Sequence, residues 1–279
     1  MKKKIGYPFL ALSLSILLGA CSQQTSETTE EKVEVSLTEE SEKAASTITP
    51  ALEWSYGEET GPEHWGVLDS EYSACVKGNE QSPINIEFAQ VKTGEKLDNV
   101  EIQYSPTNFS IAHNGHAIQA NPKTSSNTIV VEGKEFTLAQ FHFHTPSEHQ
   151  FNGQNLDMEL HLVHQDAEGN LAVLGLMIQD GKENEALASV WGVLPESETE
   201  KDVDMNEPID LQALLPANQT SFHYNGSLTT PPCAEEVKWI VFEEPIEMST
   251  EQIQAYQQIF PDNHRPVQPL NEREIIGVN

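Results

Sequence analysis

Two short segments constrain the fold of this chain more than anything else in it: Gln140-Phe141-His142-Phe143-His144 and Glu159-Leu160-His161-Leu162-Val163-His164. Polar and aromatic residues alternate along the first, which is the period of a β-strand with two unlike faces. Side chains two apart on a strand share a face, so Gln140, His142 and His144 point one way while Phe141 and Phe143 point the other. On the second segment Glu159, His161 and Val163 share one face, and Leu160, Leu162 and His164 the opposite one. Antiparallel pairing of the two puts three imidazoles on one face, flanked by an amide and a carboxylate.

That grouping has a chemistry. Three neutral imidazoles with a fourth position open form the ligand set of a catalytic zinc site, whereas structural zinc sites are closed by four protein ligands and favour thiolates. Gln140 and Glu159 are suited to accept the second ring N–H of a ligating histidine and so fix its tautomer. His164 is out of phase with His161, and His149 follows Glu148 in a loop, so neither is read as a ligand. No H-E-x-x-H occurs, which removes the commonest helical zinc-hydrolase pattern.

Around this pair lie further strand signals at Val100–Tyr104, Thr128–Val131, Glu135–His144, Met158–His164, Leu171–Ile178 and Val237–Phe242, several bounded by Gly, Pro or Asn. Helix signals are fewer: Glu185–Trp191, Leu211–Leu215 and Glu251–Ile259, the last preceded by a capping box of Ser249 and Gln252. The fold class expected is a β-dominated mixed α/β domain with a few short helices. With no internal repeat and no second linker, residues 51–279 are read as one domain.

The N-terminal 50 residues are of another kind. Lys2, Lys3 and Lys4 precede an apolar run from Ile5 to Ala20, the pattern of a secretion signal over 1–20. The run is shorter than the ~18 to 20 residues that a membrane-spanning helix needs. Leu18-Gly19-Ala20-Cys21 resembles a bacterial lipobox, with Cys21 as the lipid-bearing residue; ordinary cleavage after Ala20 is the alternative. From Ser22 to Pro50 the chain is rich in Ser, Thr, Glu and Gln and lacks aromatic residues, so residues 21–50 are expected to be a disordered acidic tether. A net charge of −29 opposes binding to nucleic acid or to an anionic membrane surface. The membrane is therefore expected as a partner only through a lipid anchor, with the domain outside the cytoplasm. Setting Cys21 aside leaves Cys75 and Cys233, an even number in an oxidising compartment, which favours a disulfide over two buried thiols.

Several ordered motifs now converge on a known family. Trp54-Ser55-Tyr56-Gly57, Gly61-Pro62-Glu63-His64-Trp65, Gln81-Ser82-Pro83-Ile84-Asn85-Ile86, Asn114-Gly115-His116, the two histidine segments, Ser147-Glu148-His149, Gly226-Ser227-Leu228-Thr229-Thr230-Pro231-Pro232 and Asn263-His264-Arg265-Pro266 together resemble the alpha-class carbonic anhydrases across residues 54–275. The resemblance implies a central, mostly antiparallel twisted sheet of about ten strands. It implies His142, His144 and His161 as zinc ligands, and Thr229 and Glu148 as the pair that orients the nucleophile. It makes His116 the proton shuttle, with Tyr56, Asn114 and Gln119 ordering water. Val163, Val173, Leu228, Thr230 and Trp239 become the substrate pocket, and Cys75 and Cys233 a disulfide. The activity implied is reversible hydration of carbon dioxide to bicarbonate and a proton by hydroxide held on zinc. Thr145 stands where many animal members carry tryptophan and Gln119 where many carry asparagine. Two other classes compete: a zinc-capture lipoprotein, which needs several metals or a flexible histidine tract, and a silent binding module, which usually lacks a zinc histidine. Oligomeric state is left open.

Overall fold

A computed structural model describes residues 53–94 and 100–279. The expected signal, the lipidated Cys21 and the acidic tether lie outside the described residues. Fourteen strands are present among those described: β1 (Asn85–Ile86), β2 (Lys92–Thr93), β3 (Glu101–Gln103), β4 (Phe109–His113), β5 (Ile118–Pro122), β6 (Thr128–Val131), β7 (Lys134–His144), β8 (Gln150–Phe151), β9 (Met158–Gln165), β10 (Leu171–Asp180), β11 (Val203–Asp204), β12 (Ser221–Ser227), β13 (Glu235–Met248) and β14 (Ile276–Val278). Twelve form one mixed sheet whose main path runs β11-β4-β5-β7-β9-β10-β13-β12-β14-β2, with β3 and β6 branching from β7. Only β10–β13 and β14–β2 pair in parallel within it, so the sheet is mostly antiparallel as expected. β1 and β8 make a separate parallel pair.

The helices are short and peripheral: α1 (Trp65–Leu68), α2 (Ala74–Lys77), α3 (Ala188–Trp191) and α4 (Thr250–Ile259). α4 starts where its sequence says it should. The Ser249 side chain accepts from the Gln252 backbone N–H, and the Gln252 side chain accepts in return from the Ser249 N–H. The Glu185–Trp191 signal resolves into a 3₁₀ turn, Glu185–Leu187, running into α3, and Leu211–Leu214 is a 3₁₀ turn. Among the described residues no helix is long and apolar enough to cross a membrane.

The two faces of the sheet bury different things. The larger core takes Phe141 and Phe143 from β7, Leu160 and Leu162 from β9, and Leu174 and Leu176 from β10, and is closed by Ile253, Tyr256 and Phe260 of and beside α4. The second, smaller core joins Val163, Val173, Tyr224, Trp239 and Val241 to Ile84 and Ile86. The Cys75–Cys233 disulfide forms a third cluster with Trp65, packed against by Trp54 and Tyr56, and closes 158 residues of chain. In the chain-entropy picture a loop of that length is worth about 5 kcal/mol.

His164 lies on the larger core's side, out of phase with His161 as expected. It is fully buried and its Nε2 meets the Tyr104 hydroxyl at 2.8 Å. Burial pushes its pKa down to about 3. The native ring is therefore neutral, while the unfolded chain takes up a proton below pH ~6.5. Stability from this residue is complete above ~6.5 and falls by about 1.4 kcal/mol per unit as pH drops toward ~3. Urea unfolding of wild type and His164→Gln at pH 6.5 and 5 should show the wild-type advantage shrinking by about 2 kcal/mol over that interval; parallel pH dependences would contradict it.

Candidate metal centre and active site

The register of β7 and β9 decides what meets on the sheet. His142 stands directly opposite His161, His144 opposite Glu159 and Gln140 opposite Val163. A bulge between Leu138 and Gln140 resets the alternation, so the run from Gln140 onward presents its polar side chains to the smaller core's face. In β10, Gly175 pairs with His161, and a Cβ there would stand 3.1 Å from Glu159 Oε1. The absent side chain gives the Glu159 carboxylate its place.

Each of the three imidazoles has one nitrogen committed. His142 Nδ1 donates to Gln140 Oε1 at 2.8 Å, His144 Nδ1 to the Asn263 carbonyl at 2.7 Å, and His161 Nε2 to Glu159 Oε1 at 2.8 Å. These bonds leave His142 Nε2, His144 Nε2 and His161 Nδ1 for another partner. The three side chains each offer a ligand atom within 4.8 Å of the others. Burial lowers all three pKa values, that of His144 to about 4, so the rings are neutral and their lone pairs available. His144 Nε2 is fully buried and finds no hydrogen-bond partner among the described residues. A nitrogen donor orphaned in that way, beside two others, fits a divalent metal that accepts imidazole ligands.

Glu148 sits next to this trio, fully buried. Its Oε1 accepts the Arg265 backbone N–H at 2.8 Å, while Oε2 lies 3.5 Å from His144 Nε2 and 3.9 Å from His161 Nδ1. Burial pushes its pKa up; His161, the Thr229 hydroxyl and the Arg265 N–H pull it back. Thr229 is thus the carboxyl's side-chain neighbour, although Oε2 makes no bond of full hydrogen-bond geometry. The Tyr56 hydroxyl, likewise buried without a hydrogen bond among the described residues, feels the same carboxylate.

The expected pocket wall is contiguous. Val163 pairs with Val173 and Val173 with Trp239, a row across three strands, and Leu228 packs against the same cluster. The Trp239 ring lies 4.8 Å from that of His161, and its Nε1 donates to the Ser227 carbonyl at 2.9 Å. Thr230 is half-buried on the neighbouring loop, which the disulfide anchors at Cys233.

The proposed water-ordering residues are placed less uniformly. Gln119 stands opposite His142 in the β5–β7 register, and its Nε2 donates to Asn121 Oδ1 at 2.7 Å. Asn114 is exposed and spends its Oδ1 on the backbone N–H groups of His116 and Ala117. His116 is half-buried, its ring stacked on Trp54 at 3.6 Å between centroids.

Two contributors escaped the sequence reading. His149, expected as a loop residue, is fully buried; its Nδ1 donates to Glu159 Oε1 at 2.7 Å and its Nε2 accepts from the Tyr224 hydroxyl at 2.7 Å. His149, Glu159 and His161 also approach closely enough to suggest a second metal group, but their facing atoms are bonded to one another. Asn263, quoted only as part of a motif, supplies the carbonyl that orients His144. The signal that could have found His149 is its adjacency to a buried glutamate, which no periodicity reveals.

A mostly-β domain whose sheet holds three converging imidazoles beside a buried carboxylate and an apolar wall belongs to the class of proteins whose site could hold a metal ion through histidine ligands. Residues 60–278 match the family model described as eukaryotic-type carbonic anhydrase, and the chain belongs to that family. It is 44% identical over 228 residues to a carbonic anhydrase of Klebsiella pneumoniae, covering 81% of this chain and 91% of the relative. It is 43% identical over 229 residues to one from Nostoc sp., covering 81% and 86%. Among solved structures, the α-carbonic anhydrase of Thermovibrio ammonificans in complex with the inhibitor sulfanilamide superposes with a TM-score of 0.77 at 45% identity, covering 80% of this chain and 98% of that one.

Replacing the partner of one ligand tests the centre without removing a ligand. Gln140→Ala should leave thermal unfolding of the apo domain nearly unchanged and weaken metal affinity about tenfold, measured against a competing chelator. Unaltered affinity would show that His142 does not need its amide partner.

Proposed function

We propose that this chain is an exported, lipid-anchored zinc enzyme that interconverts carbon dioxide and bicarbonate. The observation that carries the reading is the commitment of one nitrogen on each of His142, His144 and His161, which leaves Nε2, Nε2 and Nδ1 facing one another. Those three atoms are the ligands in this reading. Zinc in a three-imidazole site acidifies a bound water to a pKa of about 7, carbonic anhydrase being the standard case from which that value comes.

The chain's own residues do the rest. The Arg265 N–H holds one oxygen of Glu148, leaving the other to accept from the Thr229 hydroxyl. Once Thr229 donates there, its oxygen can only accept. A solvent oxygen between Thr229 and the imidazoles then turns its proton toward Thr229 and a lone pair toward Val163, Val173, Leu228 and Trp239. That wall suits a linear molecule without net dipole, and it offers charged bicarbonate no counter-ion, which favours release. Thr230 lines the same space. Every turnover must also export a proton, and an imidazole, which changes charge nearer neutral pH than other side chains, is a suitable relay to external buffer. His116 takes that role, with Tyr56, Asn114 and Gln119 along the route.

Export and anchoring rest on Lys2–Lys4, the apolar run to Ala20 and the Leu18-Gly19-Ala20-Cys21 ending. In a bacterial host fed radiolabelled palmitate, the full chain should incorporate label and Cys21→Ser should not. Label retained by that variant would refute the anchor.

The activity is tested by stopped-flow carbon dioxide hydration on residues 51–279. Rates far above buffer are expected with zinc bound and near buffer after chelation, with recovery on zinc addition. A fully zinc-loaded protein no faster than buffer would overturn the proposal. His116→Ala should lower kcat roughly ten- to a hundredfold in dilute buffer, with recovery in concentrated imidazole.

A further inference from the structure

The turn that carries His116 is covered by a segment with no part in the metal centre. β4 ends at His113 and β5 begins at Ile118, and between them Gly115 adopts φ +88°. Residues 198 and 199 lie across this turn. The Thr199 N–H donates to the His113 carbonyl at 3.0 Å, and the His113 N–H donates to the Thr199 hydroxyl at 3.2 Å. Pinned in that way, Glu198 brings its carboxyl directly over Gly115: a Cβ on the glycine would stand 3.1 Å from Oε1 and 3.4 Å from Cδ. Gly115 thus serves twice, through its positive φ and through the approach its missing side chain permits.

Among the described residues, few charges act on His116. Trp54 stacks on one face of the ring, and Glu53 adjoins that tryptophan in sequence. Asn263 donates to the His116 carbonyl at 3.0 Å but carries no charge. The ionisable groups acting on the ring are Glu53 from the N-terminal segment, Glu198 from the covering segment and His113 from β4. Partial burial disfavours the charged ring, and His113 adds to that, whereas both carboxylates oppose it.

We propose that Glu198 is a positioning residue for proton export, its carboxylate lying over Gly115, one residue from His116, where it favours the imidazolium of that ring. The proposal rests on the reading of His116 as the relay. The proton moves from solvent at the centre onto a ring nitrogen of His116 and from there to a buffer base, and Glu198 keeps its charge throughout. Without that charge the half-buried ring is a weaker acceptor, so the transfer to it slows while the hydration step is untouched.

Glu198 is exposed, so Glu198→Gln preserves shape and folding while removing the charge. The NMR titration midpoint of His116, followed through its labelled ring in the metal-free domain, should fall by about half a unit, the size of effect expected when one nearby carboxylate charge is lost. In the zinc-loaded domain and dilute buffer, kcat should fall about twofold near neutral pH with kcat/KM unchanged, and Glu198→Asp should restore most of it. Glu183→Gln, an equally exposed carboxylate elsewhere, should alter neither. If His116→Ala lowers kcat but Glu198→Gln moves neither the midpoint nor the kcat profile, the proposal fails and the relay stands. If His116→Ala leaves kcat intact, the relay reading fails and takes the proposal with it.

Discussion

The carboxylate of Glu159 is the interaction on which the centre depends. It is fully buried and accepts four hydrogen bonds: from the backbone N–H groups of Glu148 and His149, from the His149 ring and from the His161 ring. Burial alone would push its pKa up, but His149 and His161 hold it well below the ordinary carboxylate range. An ionised group without partners at this depth would cost several kcal/mol. With four donors it becomes a node that fixes three things together: the tautomer of His161, the course of the Glu148–His149 loop, and through His149 the Tyr224 and Ser82 hydroxyls. Gly226 is small for the same reason, since a Cβ there would meet Ser82 Oγ at 2.2 Å.

What sequence could and could not reveal follows from this arrangement. The long central strands were legible because their alternation is strict and their pairing local: β7, β9 and β10 appear within two residues of the expected bounds. The phase argument for His142, His144 and His161 needed only antiparallel pairing, which β7 and β9 supply. β12 was not legible. Its residues Ser221–Ser227 include Asn225 and Gly226, turn-formers by propensity, and these are extended because β13 pairs along the whole strand, while β14 flanks its first three residues. β4 and β5 were not read because weak strand formers interrupt their apolar positions, Ala112 in β4 and Ala120, Asn121 and Pro122 in β5. The loop contributors were harder still. Glu148 and His149 are buried by contacts with Glu159 and Arg265, distant in sequence, and only the family resemblance pointed at Glu148. His149 stands in the same Ser147-Glu148-His149 motif but was read only as a loop residue without a ligand role, and the structure buries it among Glu159, Tyr224 and Trp239.

Strands thus set the ligands, but a single loop segment couples the ligands to the chemistry around them. The Asn263 carbonyl orients His144, and its side chain accepts from the Thr145 N–H and donates to the Phe143 and His116 carbonyls. Two residues on, the Arg265 backbone holds Glu148, and its guanidinium reaches the Cys75 and Ser82 carbonyls and the Gln81 side chain. Arg265 is itself buried, its pKa drawn down to about 10 by desolvation. A buried cation is tolerated here because three guanidinium N–H groups meet acceptors, the Trp65 ring lies beneath it and the Glu148 carboxylate favours its charge. Lysine could not replace it, since one ammonium cannot span that separation of carbonyls. Segment 263–265 therefore links a candidate ligand, the carboxylate beside it, the candidate relay and the disulfide-bearing helix. A strain introduced at any one of them reaches the others through three consecutive residues rather than through the sheet.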